Sequence, residues 1–381
     1  MYKTLRSIFF SCLVLSTAST QAAITPNPTA PSIAAKSYIL QDFASGRIIA
    51  EQNSQLRLPP ASITKVMTAY VVFHELALGN TNLSDDVLIS EKAWRMVGSR
   101  SFIEVNTKVP VEVLLRGMII QSGNDAAVAL AEHIAGSEET FSQMMNQYAQ
   151  QLGMVNTNYR NATGLPDPEH YTTAQDIAIL SAAVIREFPD YYKWYSEKEF
   201  TYNEITQHNR NKLLWRDVSV DGLKTGYTEE AGYCLASSAK RSGMRLISVV
   251  LGTRSVNARA QETQKLFNFG FRFFETHELY KAQDKILETK IWKGADKQLS
   301  LGLKESLAVT VPRGSYKDLV ATTNIQSPII APIMVGSELG EVEIRLGDEL
   351  IIKQPLVALQ PVEQGSWWRR LIDTLLMMIW G

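Results

Sequence analysis

The chain has 381 residues, 38 Lys+Arg against 39 Asp+Glu for a formal net charge of −1, and 45% hydrophobic residues. That length accommodates two domains, and a charge so mild and evenly spread argues against nucleic acid as a partner. The only cysteines are Cys12 and Cys234, too few for a disulfide framework or a paired-cysteine zinc site.

Lys3 and Arg6 precede the short apolar run Ile8 to Leu15, and Thr20-Gln21-Ala22-Ala23 offers small residues for cleavage. This pattern predicts a signal peptide over 1–23. Its apolar run is too short to span a bilayer, which takes about 20 residues as a helix. Phe9 stands where a lipobox prefers a smaller aliphatic residue, so lipid attachment through Cys12 is not expected. Export and cleavage would leave Cys234 as a lone thiol, read as a small buried hydrophobe in the strand Tyr233 to Ala236.

A Pro-rich linker, 24–36, leads into a mixed α/β region over 37–276. Tyr38-Ile39-Leu40 and Gly46 to Ala50 read as strands joined by a turn at Ser45-Gly46. Pro59-Pro60 introduces an apolar helix from Ser62 to about Leu78, and further helices fit Val111 to Ile119, Asp125 to Ile134, Glu138 to Leu152 and Thr173 to Glu187. Tyr233 to Ala239 and Leu246 to Leu251 have strand character, and Val218 to Lys224 reads extended.

From about Tyr280 to Val362 the pattern changes to all-β. Val342, Ile344 and Leu346 alternate with Glu341, Glu343 and Arg345, the period of a half-buried strand. Gly347-Asp348 reads as a two-residue hairpin loop. Over 366–381 a helix would place Trp368, Leu371, Ile372, Leu375, Leu376 and Ile379 on one face and Arg369, Arg370, Asp373 and Thr374 on the other. The stretch is too short and too charged to span, and reads as an amphipathic anchor lying in a membrane interface. The alternative is an ordinary helix packed on the preceding domain.

Three motifs carry the chemistry: Ser62-Ile63-Thr64-Lys65, Ser122-Gly123-Asn124 and Lys224-Thr225-Gly226. The first two spacings recur at Ser237-Ser238-Ala239-Lys240 and Ser255-Val256-Asn257, so order and context must separate site from coincidence. Ser62 opens a helix with Lys65 one turn on and on the same face. A serine hydroxyl needs a base within reach, and Lys65 serves only when neutral, which burial and the nearby cation Lys224 favour. The helix start also sets N–H groups beside a developing oxyanion. Ser122 sits at a tight helix–helix connection, where it can relay a proton to a departing amine while the Asn124 amide holds both Lys65 and a substrate carbonyl. Lys224 and Thr225 suit a substrate carboxylate, and Gly226 leaves room for an extended peptide at the strand edge. No histidine triad, H-E-x-x-H pattern or Gly-rich phosphate loop competes. No metal or cofactor is expected.

Pro60 to Lys65, Gln121 to Ala126, His208-Asn209-Arg210-Asn211, Val220 to Gly226, Gly270 to Thr276, the β-rich second domain and the amphipathic tail together resemble the low-molecular-mass penicillin-binding proteins. Among these the chain is most similar to the serine-type D-alanyl-D-alanine carboxypeptidases related to penicillin-binding protein 5. The resemblance implies a transpeptidase/β-lactamase-like α/β (α+β) domain with an antiparallel sheet between helix clusters. It implies Ser62 as acyl-ester nucleophile, Lys65 as proton acceptor, Ser122 as a further catalytic residue, and Asn124, Lys224, Thr225 and Gly226 as substrate-binding. Arg210 and Arg259 match arginines near the carboxylate end of the family site. Tyr227 stands where some relatives have histidine, and its backbone N–H, with that of Ser62, would complete an oxyanion hole. The expected substrates are peptidoglycan stem peptides ending in D-Ala-D-Ala, with β-lactams as covalent inhibitors, acting at the periplasmic face of the inner membrane. A serine β-lactamase and a non-catalytic β-lactam sensor or wall scaffold are the alternatives. Leu165 to Tyr171 lacks the asparagine of a class A deacylation motif, so Glu169 is read as a surface residue, and no transmembrane signalling segment is present.

Overall fold

The computed structural model describes residues 28–380; the expected signal peptide lies outside the described residues. Five antiparallel strands form the central sheet in the order Ile48–Gln52, Ser37–Asp42, Met244–Thr253, Gly232–Arg241, Val220–Thr228. Met244–Thr253 is buried almost throughout, which explains its unbroken apolar run Leu246 to Leu251. Its side chains alternate between faces. Ile247, Val249 and Leu251 join the larger helical core, while Leu246 and Val250 pack with Leu266 and Phe267 of the helix Val256–Phe273. That helix was not anticipated from the sequence, where its aromatic and polar residues blur the 3.6-residue period.

The helix Lys65–Ala77 runs through the larger core, with every residue from Lys65 to Phe73 buried. A helix apolar on all sides must be enclosed by other elements, and here Val111–Arg116, Asn124–Ala135, Glu138–Gln151 and Ala174–Glu187 enclose it. Ser62 does not open this helix directly, as the sequence suggested. It lies in a preceding 3₁₀ turn, Ala61–Thr64, entered through Ala61 at φ +49°. The tighter turn strengthens the expected alignment, because residues i and i+3 eclipse in a 3₁₀ helix. The helix expected to continue to Ile119 also changes character: Val111–Arg116 passes into a π-helical turn, Gly117–Gln121, and ends at Ser122 in the left-handed region at φ +72°.

The C-terminal β-structure begins at Phe274–Tyr280, which follows the helix without a break and pairs with Leu307–Pro312. Backbone pairing therefore bridges the expected boundary between 276 and 280. Side chains tie this ribbon to the central sheet: Arg47 Nη1 donates to Thr310 O at 2.7 Å and Thr276 Oγ1 to Asp42 Oδ2 at 2.7 Å. A second five-stranded sheet follows in the order Lys285–Lys290, Gln298–Gly302, Glu349–Ala358, Glu338–Leu346, Leu319–Ile325. Val342 and Ile344 are buried as their alternation requires, and Leu346 pairs with Glu349 across the expected Gly347-Asp348 turn, with Gly347 at φ +57°.

The final helix, Trp367–Trp380, docks by its polar face. Arg369 donates from Nη1 to Ala295 O and from Nη2 to Asp296 O, each at 2.8 Å, and Asp373 Oδ2 accepts from Lys293 N. Trp368, Leu371, Ile372, Leu375, Leu376 and Ile379 are left exposed. An ordinary packed helix would bury the apolar face instead. No helix among the described residues is long and apolar enough to cross a membrane.

Candidate active site

The three motifs converge on one cleft of about 400 Å³, lined among others by Ser62, Ser122, Asn124, Arg210, Thr225, Gly226, Tyr227 and Arg259. Each wall comes from a different element: the 3₁₀ turn, the π-turn junction, and the edge strand Val220–Thr228. Lys65 and Lys224 lie beneath the cleft, both essentially buried.

Lys65 Nζ has three neighbours. It lies 2.7 Å from Asn124 Oδ1, 2.6 Å from Thr163 O and 3.2 Å from Ser62 Oγ. Desolvation, with the Arg210 charge adding to it, brings the Lys65 ammonium down to about 7, against the opposing pull of Asp125 and Glu138. A neutral amine has two N–H donors and one lone pair. The Asn124 and Thr163 oxygens accept both N–H groups, so the lone pair is directed at the Ser62 hydroxyl. That is the arrangement a general base requires.

Ser122 Oγ is buried and has no hydrogen-bond partner among the described residues. The left-handed backbone at Ser122 lets the chain leave the π-turn and restart as Asn124–Ala135, so Ser122 and Asn124 present to the same cleft. The Asn124 amide holds Lys65, as the sequence suggested, and has a further partner. Oδ1 takes Lys65, but Nδ2 donates to Val97 O at 2.6 Å, leaving one amide proton for a substrate.

Burial, reinforced by the charges of Lys65, Arg210 and Arg259, holds Lys224 well below the usual lysine range. Arg259 Nη1 donates to Gly226 O at 3.1 Å, and burial lowers its guanidinium to about 10, still charged at neutral pH. Arg210 is fixed by its flanks: Asn209 Nδ2 donates to Glu197 O and Asn211 Nδ2 to Gly222 O, both at 3.0 Å. Arg210 and Arg259 thus line the cleft, with the buried Lys224 beneath it. Tyr227 is half exposed and stacks on Tyr233 at 4.3 Å between ring centroids.

Gly226 lines the cleft and also has a packing role that the sequence did not show. A Cβ there would point at Pro60 O, at 2.9 Å, and at Ala61 and Ile63. The missing side chain lets the strand approach the 3₁₀ turn that carries Ser62.

Both coincidental motifs are accounted for. Ser237 is buried and donates to Gly222 O at 2.7 Å, whereas Lys240 is exposed. Ser255 caps the helix Val256–Phe273 by accepting from Ala258 N. Cys234 is buried, as expected, and burial pushes its thiol up to about 11. Glu169 is exposed beside Arg160.

Sequence reasoning missed two supports. Asp125, fully buried, accepts from the backbone N–H groups of Ser101, Phe102 and Ala126 at 2.7–2.9 Å. It thereby fixes the 97–102 segment whose Val97 carbonyl holds Asn124. The loop 160–170 supplies the Thr163 carbonyl and presses Gly164 against Ala61 O. Asp125 follows the second motif directly, a position that hinted at its role, while a backbone carbonyl leaves no trace in side-chain patterns.

The family model for D-alanyl-D-alanine carboxypeptidases, Peptidase S11, matches residues 24–255, and that for the penicillin-binding protein 5 C-terminal domain matches residues 274–364. The chain is 42% identical to D-alanyl-D-alanine carboxypeptidase DacC of Escherichia coli over 356 residues, covering 91% of this chain and 89% of that protein. It is 40% identical to D-alanyl-D-alanine carboxypeptidase DacA of Haemophilus influenzae, covering 98% and 96%. The structure of penicillin-binding protein 5 from Haemophilus influenzae superposes with a TM-score of 0.86 at 42% identity, covering 88% of this chain and 100% of that one. Penicillin-binding protein D2 of Listeria monocytogenes, solved in an ampicillin-bound form, matches 63% of this chain and 100% of its own at TM-score 0.59 and 30% identity. A serine and a buried lysine facing each other in a matching fold, across a match of this length, leave one conclusion: the chain belongs to the D-alanyl-D-alanine carboxypeptidase family, Peptidase S11.

Proposed function

We propose that this protein removes the terminal D-alanine from peptidoglycan stem pentapeptides through a Ser62 acyl-enzyme, and that β-lactams acylate the same serine. The observation that carries the reading is the buried Lys65 amine, with two oxygens on its N–H groups and Ser62 Oγ on the third side. Ser62 Oγ attacks the carbonyl of the penultimate D-alanine as its proton passes to Lys65. The Ser62 and Tyr227 backbone N–H groups receive the oxyanion. Collapse breaks the C–N bond, and Ser122 relays a proton to the departing amine. With the first proton passed on from Lys65 to the amine, water hydrolyses the ester, and Lys65 takes the proton of the water and returns it to Ser62 Oγ. Lys224, Thr225, Arg210 and Arg259 suit the terminal carboxylate, because desolvated guanidiniums favour an anion there and an anion in turn favours the protonated Lys224. Asn124 offers its remaining amide proton to the substrate, and the stem peptide lies along the edge strand beside Gly226.

We assign 37–276 to catalysis, 280–362 to a supporting β-domain and 366–381 to a membrane anchor. The outward apolar face of the last helix supports interfacial attachment. An exported precursor with the signal peptide 1–23 would place the enzyme at the periplasmic face of the inner membrane.

Mass spectrometry of a D-Ala-D-Ala pentapeptide incubated with the protein tests the reading. Release of one D-alanine by wild type and none by Ser62→Ala is expected. Rapid turnover of penicillin without peptide cleavage would favour a β-lactamase, and acylation without either turnover would favour a sensor.

A further inference from the structure

His170 is the one histidine placed against the catalytic turn, and the mechanism above does not use it. It is buried on the loop 160–170, with its ring edge-on to Tyr159 at 5.6 Å. Nδ1 accepts from the Arg160 backbone N–H at 3.2 Å. Nε2 must then carry the ring proton of the neutral imidazole, and it donates to Thr64 Oγ1 at 2.9 Å. Thr64 immediately precedes Lys65 in the turn that carries Ser62.

The same loop meets that turn again a few residues on. Thr163 O accepts from Lys65 Nζ, and Ala162 O accepts from Thr68 Oγ1 at 2.7 Å. Asn161 Oδ1 gathers the N–H groups of Thr163 and Gly164 at 3.1 and 2.7 Å, which fixes the backbone through the carbonyl. His170 thus closes a ring of contacts: loop to Thr64 at one end, loop to Lys65 at the other.

We propose that His170 is a positioning residue, which clamps the 160–170 loop onto the nucleophile's turn and so holds the Thr163 carbonyl where it takes one Lys65 N–H and leaves the amine lone pair to Ser62. The inference rests on the Ser62–Lys65 reading and adds a residue that touches neither substrate nor the reacting atoms.

Releasing the clamp lets water reach Lys65. Because burial is the main cause of its lowered pKa, hydration raises it, and the neutral fraction at pH 7 falls. The other charged groups facing Lys65 are Arg210, Lys224, Asp125 and Glu138, the last accepting from the Ala162 N–H of the same loop at 3.1 Å, and the substitution alters none of them. Burial holds the His170 imidazole at about 4, against the pull of Asp167, so replacing it removes no charge near neutrality.

The test is the pH dependence of acylation by a fluorescent penicillin, measured as a second-order rate constant from pH 5.5 to 9.5. In His170→Phe the midpoint of the acid limb should rise by about one unit, which is about fivefold in rate at pH 7 and approaches tenfold well below it. His170→Gln, which keeps a donor near the Nε2 position, should restore most of the rate. His170→Asn keeps only the acceptor near Nδ1 and should restore little. Thr64→Val, with His170 intact, should reproduce the shift, and adding His170→Phe to it should change little more. A midpoint that stays at the wild-type pH in both His170→Phe and Thr64→Val overturns the proposal, even if the proteins are less stable. Should His170→Phe fail to fold, Thr64→Val and His170→Asn decide it. Acylation of Ser62→Ala at the wild-type rate would instead remove the catalytic reading beneath it.

Discussion

Gly226 and Pro60 are in backbone contact range: a Cβ added to Gly226 would lie 2.9 Å from the Pro60 carbonyl oxygen, closer than real Cβ contacts come. The edge strand therefore reaches the nucleophile's turn only because position 226 has no side chain. Gly226→Ala must push the two apart by a few tenths of an ångström, and the partner is backbone, which yields poorly. Acylation should fall about 10- to 100-fold, since small misplacements of reacting groups are costly. Thermal stability should drop only modestly. Stopped-flow acylation beside a melting curve separates the two effects.

Lys65→Arg should abolish acylation while the fold survives. Arginine keeps the charge but does not deprotonate at working pH. In the wild type the sign follows from a folded pKa near 7. Below that pH Lys65 is an ammonium with no lone pair for Ser62, and above it the base is available. Acylation should thus rise with pH through about 7 and then level off. A flat profile from pH 5.5 to 9 would assign Lys65 a purely electrostatic part.

Much of this arrangement could be read from the sequence, because motif order and the apolar helix from Lys65 onward are side-chain properties. The β-domain hairpin was equally legible, as Val342 and Ile344 alternate with charged residues around a Gly-Asp turn. What escaped was carried by backbone. The run Gly117 to Gln121 looks like a continuing helix, yet its π-turn and the left-handed Ser122 are what aim the second motif. The Thr163 carbonyl holds Lys65 from a loop with no regular period. The close approach of Gly226 to Pro60 was not legible either, since only three-dimensional packing reveals what a missing Cβ would have struck.

Asp125→Asn should damage both stability and activity. The carboxylate accepts three backbone N–H groups while fully buried, and an amide replaces one oxygen with a donor that faces donors. Loss of about 2 kcal/mol is expected for a buried charged acceptor. The 97–102 segment would loosen, and with it the Val97 carbonyl that orients Asn124. Denaturant melts and acylation rates on the same sample check this, and wild-type values for both would show that the segment is held by other contacts.

Ser237→Ala, by contrast, should leave acylation within about twofold. Its hydroxyl donates to Gly222 O, which also accepts from Asn211 Nδ2 at 3.0 Å. No buried carbonyl is orphaned by the change, so the stability loss should stay near 1 kcal/mol or less. Peptide mapping after penicillin treatment should find the adduct on Ser62 alone. An adduct on the Ser237 peptide would reverse the assignment of the two S-x-x-K sequences.

Removal of 366–381 should release the protein from membranes without slowing turnover of a soluble peptide. The helix Trp367–Trp380 gives its polar face to the β-domain through Arg369 and Asp373, and leaves its apolar residues largely exposed. Burial of that face in a headgroup boundary contributes about 0.8 kcal/mol per CH₂, with aromatic residues suited to that depth. The polar docking adds a second expectation. Breaking it with Arg369→Ala should leave membrane binding largely intact, because the apolar residues remain, but should free the helix to tilt against the β-domain. All three catalytic motifs lie before residue 230, so the peptide rate should not sense either change. Fractionation, vesicle sedimentation and a peptide assay on the same preparations decide it. Tight membrane binding after truncation would place the anchor elsewhere, and a fall in the peptide rate would mean that the tail supports the catalytic cleft.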